Sequence, residues 1–146
     1  NMRLAQTAPS IGIRESRHYE GRNTLAAENV IAGRRFDDAV TACAFGCDIH
    51  EIYPDDPHAH RIAARPFEIP YRCLLPKSIT GLLFDGRCIS GTHEAHASYR
   101  VTGTCMAMGQ AAGLAAAIAA RSGVAPDEID GRSLRDALEE RDVQFL

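Results

Sequence analysis

The 146-residue sequence lacks a strong excess of charge of either sign: Lys and Arg total 16, Asp and Glu 19, for a net charge of -3. That balance excludes the broad basic face that would recruit nucleic acid or an anionic membrane surface. Long apolar runs are also missing. The most apolar stretch, "MAMGQAAGLAAAIAA", is interrupted by Gln110, is mostly Ala and Gly, and falls short of the roughly 20 residues a membrane span needs. It is read as a buried helix of a soluble protein, with no membrane span. The opening "NMRLAQTAPSIG" lacks the apolar core of a secretory signal. There is no internal repeat and no low-complexity tract. The five cysteines cannot all pair within one chain, and their spacing is not that of a small secreted disulfide framework. They are read as reduced thiols in a cytoplasmic protein.

What is present fits one compact domain with a real core. Asn1 precedes Met2, and "IGIRE" already reads as a strand by residues 11–15, so the chain is read as a piece of a longer protein. Residues 11–20 alternate apolar and polar, which predicts a half-buried strand closed at Gly21. Thr24 is positioned to cap a helix through "LAAENVIAG" with Gly33 as its stop. Asp37 or Asp38 would cap a second helical segment, "AVTACAFG". Residues 51–66, with three of the seven prolines, predict a long surface connection. Beyond it, "FEIPYRCLLP" is extended and broken by Pro70 and Pro76. Residues 82–84 predict a short buried strand ending at Gly86, followed by a polar connection over 86–103.

A helix over residues 104–120 is the clearest element. Cys105, Gly109, Gly113 and Ala116 recur at three- and four-residue spacing. Because each interior glycine costs roughly 1 kcal/mol against alanine, they predict close approach to another backbone. Gly123 stops this helix, Pro126 opens a connection, and Ser133 with Asp136 offers a capping box for a last helix bearing Leu134, Ala137 and Leu138. The tail "VQFL" packs down or frays.

Three kinds of chemistry compete over residues 84–106, "FDGRCISGTHEAHASYRVTGTCM". Cys43, Cys47 and His50 form one potential metal cluster, and Cys88, His93 and His96 another. Neither has paired C-x-x-C spacing and no H-E-x-x-H occurs, so no metal is assigned; Cys43 and Cys47 read as core residues of a short helix. Cys105, near a helix N-terminus, could be an activated nucleophile with His93 or His96 as base, or a small residue filling space under a cofactor, the favoured reading. The third reading rests on the frame: Gly86 ends a strand, and Gly103 precedes a long helix whose first N–H groups lack internal partners and whose end attracts negative charge. That arrangement suits an anionic or carbonyl-bearing cofactor at the carboxyl end of a strand.

With those motifs in order, the stretch "IPYRCLLPKSITGLLFDGRCISGTHEAHASYRVTGTCMAMGQAAGLAAAIAARSGV", preceded by "IGIRESRHYEG" and "FDDAVTACAFGCDIH", resembles the C-terminal part of the FAD-dependent oxidoreductase family, related more distantly to the flavoprotein subunits of fumarate reductase and succinate dehydrogenase. The resemblance implies an α/β fold: a C-terminal fragment of an FAD/NAD(P)-binding Rossmann-like domain with part of an inserted substrate or cap domain. Residues 1–66 would be the end of the cap domain and its connection, and residues 67–146 the segment completing the FAD-binding domain. The implied activity is transfer of a hydride or electrons between a small organic substrate and FAD.

Residue by residue, the resemblance places Gly86 and Arg87 beside the ribityl chain and pyrophosphate, and Thr104, Cys105 and Met106, after Gly103, at the pyrimidine edge of the flavin. Arg100 matches a family arginine in the approach to that helix. Arg17 and His18 fall where the family usually has two arginines near the flavin face. Arg17, His18 and Arg100 would position substrate, with His93 as a candidate acid or base. Three departures stand out. No G-x-G-x-x-G occurs, so the adenosine half of the site is missing and the isolated chain is expected to bind little or no FAD. His18 introduces a titrating charge, and Asp85 replaces a small residue, either bonding a ribityl hydroxyl or ending the strand. The implied partners are a small-molecule substrate, the remaining N-terminal FAD-binding part, and a second copy through an exposed face; nucleic acid is not among them. A non-catalytic domain or assembly module is the alternative reading.

Overall fold

Residues 39–43 carry the β-branched pair Val40–Thr41, and in the computed structural model, which describes residues 2–49 and 61–146, they form a buried strand, β1 (Ala39–Cys43). The helix expected over this segment does not form. A partner strand, β4 (Phe67–Pro70), pairs antiparallel with β1, with a register break between Ala39 and Thr41. Cross-strand packing outweighs local preference here. Asp38 caps no helix; its carboxylate accepts from Arg72 Nε at 2.8 Å and from a terminal guanidinium nitrogen at 3.0 Å. A second ladder joins β2 (Cys47–Asp48) to β3 (Arg61–Ile62). Cys43 and Cys47 therefore lie on strands, though both are buried. Most of the predicted 51–66 connection lies outside the described residues.

Four helices surround these ladders: α1 (Ala27–Ala32), α2 (His93–Tyr99), α3 (Thr102–Ser122) and α4 (Gly131–Glu139). α3 and α4 pack on β1 and on each other, while α1 touches α2 and β4. The core gathers Val40, Phe67, Ile69, Tyr71, Leu74, Tyr99, Met108, Leu134 and Leu138. Mixed helices and small sheets are what an α/β fragment would contain. The β1–β4 ladder joins residues on both sides of position 66.

Two predicted strands are absent. Residues 11–20 and 82–84 form no ladder; their neighbourhood contributes only the isolated bridges Gly21↔Pro76 and Leu25↔Gly91. A strand needs a continuous row of partners for its backbone groups, and here only single bonds form: Tyr19 N–H to the Cys88 carbonyl at 3.1 Å, Lys77 N–H to the Glu20 carbonyl at 2.9 Å and Phe84 N–H to the Leu74 carbonyl at 2.9 Å. Ile11, Ile13 and Leu82 are exposed accordingly. The expected polar connection after Gly86 contains a 3-10 turn over Gly86–Cys88 and then α2.

α3 buries Thr104, Met108, Ala111, Ala115 and Ala119, the 3–4 spacing of one helix face. The glycine face points elsewhere, so the expected close backbone approach is not observed. A Cβ on Gly113 would meet nothing within 4 Å, and one on Gly109 would meet the Asp85 carboxylate at 2.9 Å. By length and composition α3 could cross a membrane, contrary to the expectation that its apolar run is too short, and 28% of its most apolar window is buried. It is a half-covered core helix with an open small-residue face.

The caps differ in detail from expectation. α1 starts after Ala26, whose N–H donates to the Asn29 side chain at 3.0 Å, while Thr24 bonds Ser90 across the fold. Gly33 and Gly123 end α1 and α3 in the left-handed conformation, as predicted. α4 is capped by Asp130, which accepts from the Ser133 N–H at 3.0 Å and its hydroxyl at 2.9 Å, in place of the expected Ser133 cap. The tail packs down through Val143 and Phe145, with the Arg135 guanidinium 4.3 Å over the Phe145 ring.

Candidate functional site

The turn over residues 85–88 is held against the first half of α3. Gly86 adopts a positive φ of 68°, and a Cβ there would lie 3.9 Å from Cys105 Cβ and Sγ. Asp85 reaches Gly109, one turn further along α3. The two ends of the 84–106 stretch therefore meet. The individual side chains then diverge. Thr104 is buried and donates its hydroxyl to Cys43 Sγ at 3.4 Å. Cys105 Sγ donates to the Tyr99 carbonyl at 3.7 Å. Gly103 and Met106 are exposed. Burial pushes the Cys105 thiol above its ordinary range, outweighing the lowering by Arg87. This opposes the activated-nucleophile reading, in which the thiolate would be stabilised.

Beside this turn lies a cavity of about 300 Å³ whose lining includes Arg14, Arg87, Arg100, Phe45, Asp48 and Thr102. Three guanidinium groups and the N-terminal turn of the 21-residue α3 converge on it, so the field inside favours an anion or an electron-rich edge. Arg100 is anchored by donating to the Asp48 carbonyl at 2.6 Å, and Arg87 Nε donates to the Arg100 carbonyl at 3.3 Å. Burial, with Arg14 nearby, lowers the Arg100 pKa. Arg14, Phe45, Asp48 and Thr102 had not been selected from the sequence. Their signal was absent because they come together from three separate segments.

A second cluster forms where residues 15–18 lie along α2. Glu15 is its hub. His93 Nδ1 lies 2.9 Å from each Glu15 oxygen, His18 Nε2 3.3 Å from Oε1, and His96 Nδ1 3.3 Å from Oε2. The His18 ring lies 4.8 Å from the His96 ring, tilted by 52°, while Arg17, the neighbouring candidate, is exposed. Burial tends to raise the Glu15 pKa, but the His93 hydrogen bond and the three histidines together hold it below its ordinary value. For His96, burial outweighs Glu15 and pushes the pKa down to about 4. His50, of the first cysteine–histidine cluster, lies outside the described residues; among the described residues the group that could hold a metal is Glu15, His18 and His96, whose ligand atoms lie within 4.8 Å of one another. Glu15 was missed, although its three-residue spacing from His18 in "ESRH" was visible.

Larger cavities exist elsewhere, including one of about 580 Å³ lined by Glu68, Arg132 and Arg135. In that cavity Arg135 is already paired with Glu68 and Arg132 with Asp37. Chemistry therefore favours the smaller arginine cavity despite its size.

The residues present fit one edge of a flavin: a helix N-terminus, a left-handed glycine turn against it, and a basic cavity beside both. They do not supply the glycine-rich cradle for the dinucleotide pyrophosphate, since the chain has no G-x-G-x-x-G. No curated protein and no solved structure matches the chain. The family described as FAD dependent oxidoreductase matches residues 1–138, nearly the entire sequence, and the chain belongs to that family.

Proposed function

We propose that this chain is the C-terminal portion of a flavin-dependent oxidoreductase that moves a hydride or electrons between a small organic substrate and FAD. The observation carrying this reading is the meeting of Gly86 with Cys105 at the first turns of α3, next to the Arg14–Arg87–Arg100 cavity, in a member of a flavin-linked redox family. When bound, FAD supplies the electron-accepting ring. The protein's part is electrostatic: helix N–H groups and Arg87 favour negative charge on the pyrimidine edge. Gly86 keeps the turn open to the ring system, and Asp85 is available to a ribityl hydroxyl. Arg100, with Arg17 and His18, orients an anionic or polar substrate, and His93 holds or releases a proton at Nδ1 beside Glu15.

The same proposal includes the kinship to the fumarate reductase and succinate dehydrogenase flavoproteins, the division into cap residues 1–66 and FAD-domain residues 67–146, and a cytoplasmic setting. The five free cysteines support that setting. The partner it requires is the N-terminal FAD-binding part carrying the glycine fingerprint, which would cover the open face of α3. Self-association is the competing use of that face. Visible flavin absorbance of the complete protein tests the reading. Stoichiometric flavin supports it, whereas a folded complete protein that neither acquires nor needs flavin overturns it in favour of an assembly module.

A further inference from the structure

The histidine–glutamate cluster contains an unresolved polar mismatch. His18 Nδ1 lies 2.9 Å from the Gly91 carbonyl oxygen. A carbonyl can only accept, so Nδ1 carries a proton there and Nε2 faces the other way. Among the described residues that Nε2 is buried without a hydrogen-bond partner, and it lies 3.3 Å from Glu15 Oε1, itself an acceptor. His96 is fully buried, and among the described residues both its ring nitrogens lack a directed partner, although Nδ1 approaches Glu15 Oε2 to 3.3 Å. Orphaned buried polar atoms are rare in native proteins, and a bound ion, a water or a functional role is what commonly accounts for them.

From this convergence we propose that Glu15, His18 and His96 bind a divalent first-row transition metal ion through two imidazoles and one carboxylate. Such a set leaves room for a further ligand, as in catalytic rather than structural sites. Its supporting contacts are already in place: the Gly91 carbonyl fixes the His18 tautomer, and His93 holds the Glu15 carboxylate at 2.9 Å. Contacts of that kind orient metal ligands in general. The ion would tie the segment around residues 15–18, which has no ladder of its own, to α2. The flavin reading also uses His18, to orient substrate, but the metal assignment rests only on the mutual contacts of Glu15, His18 and His96, none of which lines the arginine cavity.

Cobalt(II) and zinc(II) titrations of the full chain decide the matter. The expected result is about one cobalt per chain, with visible d–d bands, no thiolate-to-cobalt charge transfer, displacement by zinc, and a zinc-dependent rise in unfolding midpoint. Glu15→Gln and His18→Asn, both at partly exposed positions, should each weaken cobalt at least about tenfold; the second variant serves if the first fails to fold. Absence of stoichiometric metal, or variants that bind as the unaltered chain does, would overturn the site and leave a protonated His18–Glu15 ion pair. A thiolate charge-transfer band would overturn it in favour of the cysteines.

Discussion

Arg135 on α4 neutralises Glu68 on β4, a carboxylate with no exposed side-chain surface, through two nitrogens each 3.2 Å from a different oxygen. The same carboxylate accepts the Phe36 N–H at 2.9 Å and the Leu146 N–H at 3.3 Å. One buried charge thus gathers β4, α4, the entry to β1 and the C-terminus.

Removing the cation strands that charge. Arg135→Met is expected to destabilise the chain by about 3–5 kcal/mol, read as a lower urea midpoint. Pairing it with Glu68→Met should recover much of the loss, because no unpaired charge then remains. A single variant within about 1 kcal/mol of the parent would show that water reaches Glu68.

Two glycines should respond in opposite directions to alanine. At Gly91 a Cβ would lie 2.7 Å from the fully buried Tyr99 ring, so Gly91→Ala should cost about 1–3 kcal/mol by overpacking. At Gly113 a Cβ meets nothing within 4 Å inside a helix, so Gly113→Ala should stabilise by up to about 1 kcal/mol. Thermal midpoints of the two variants provide the check; a destabilised Gly113→Ala would reveal a partner already docked on that face.

Acid should weaken the metal-free chain through His96. Burial depresses its folded pKa to about 4, below the ordinary 6.5. The unfolded chain therefore binds more protons between these values, and stability rises with pH across that window. The contribution is full above about 6.5 and is lost as pH falls toward about 4. Denaturation midpoints measured from pH 8 to pH 4 should show this slope, and His96→Leu should flatten it. An unchanged slope in that variant would assign the effect to other groups.

In the complete flavoprotein, Arg100→Ala should weaken flavin or an anionic substrate at least about tenfold, equivalent to about 1.4 kcal/mol. It removes one of three guanidinium groups from the cavity and the bond to the Asp48 carbonyl. Lysine at this position should rescue charge but only part of the affinity, since it lacks the planar fork. Equilibrium titration followed by flavin fluorescence measures both. Full affinity in the alanine variant would place the ligand elsewhere.

Legibility in the sequence followed locality. The long α3, its Gly123 stop, the extended segment broken at Pro70, and the Leu134–Leu138 face depend on short-range periodicity and backbone preference, and they appear as read. The segment 39–43 was misread because its strand exists only through pairing with residues 67–70, some 25 positions away. The pattern in residues 11–20 was a genuine alternation without a neighbouring strand. For the site, the sequence singled out Gly86 and Cys105 and the fold sets them side by side, whereas Glu15 acquired meaning only when α2 carried His93 and His96 to it.

By itself the sequence determined family membership, since ordered motifs across residues 1–138 need no coordinates to be recognised, and it determined the long helix α3, whose bonds close within a few residues. Tertiary structure alone decided which face of α3 is buried, which three arginines share a cavity, and that two histidines turn buried, unpartnered nitrogens toward one glutamate. Those are distances between segments far apart in the chain, set by packing rather than by local preference.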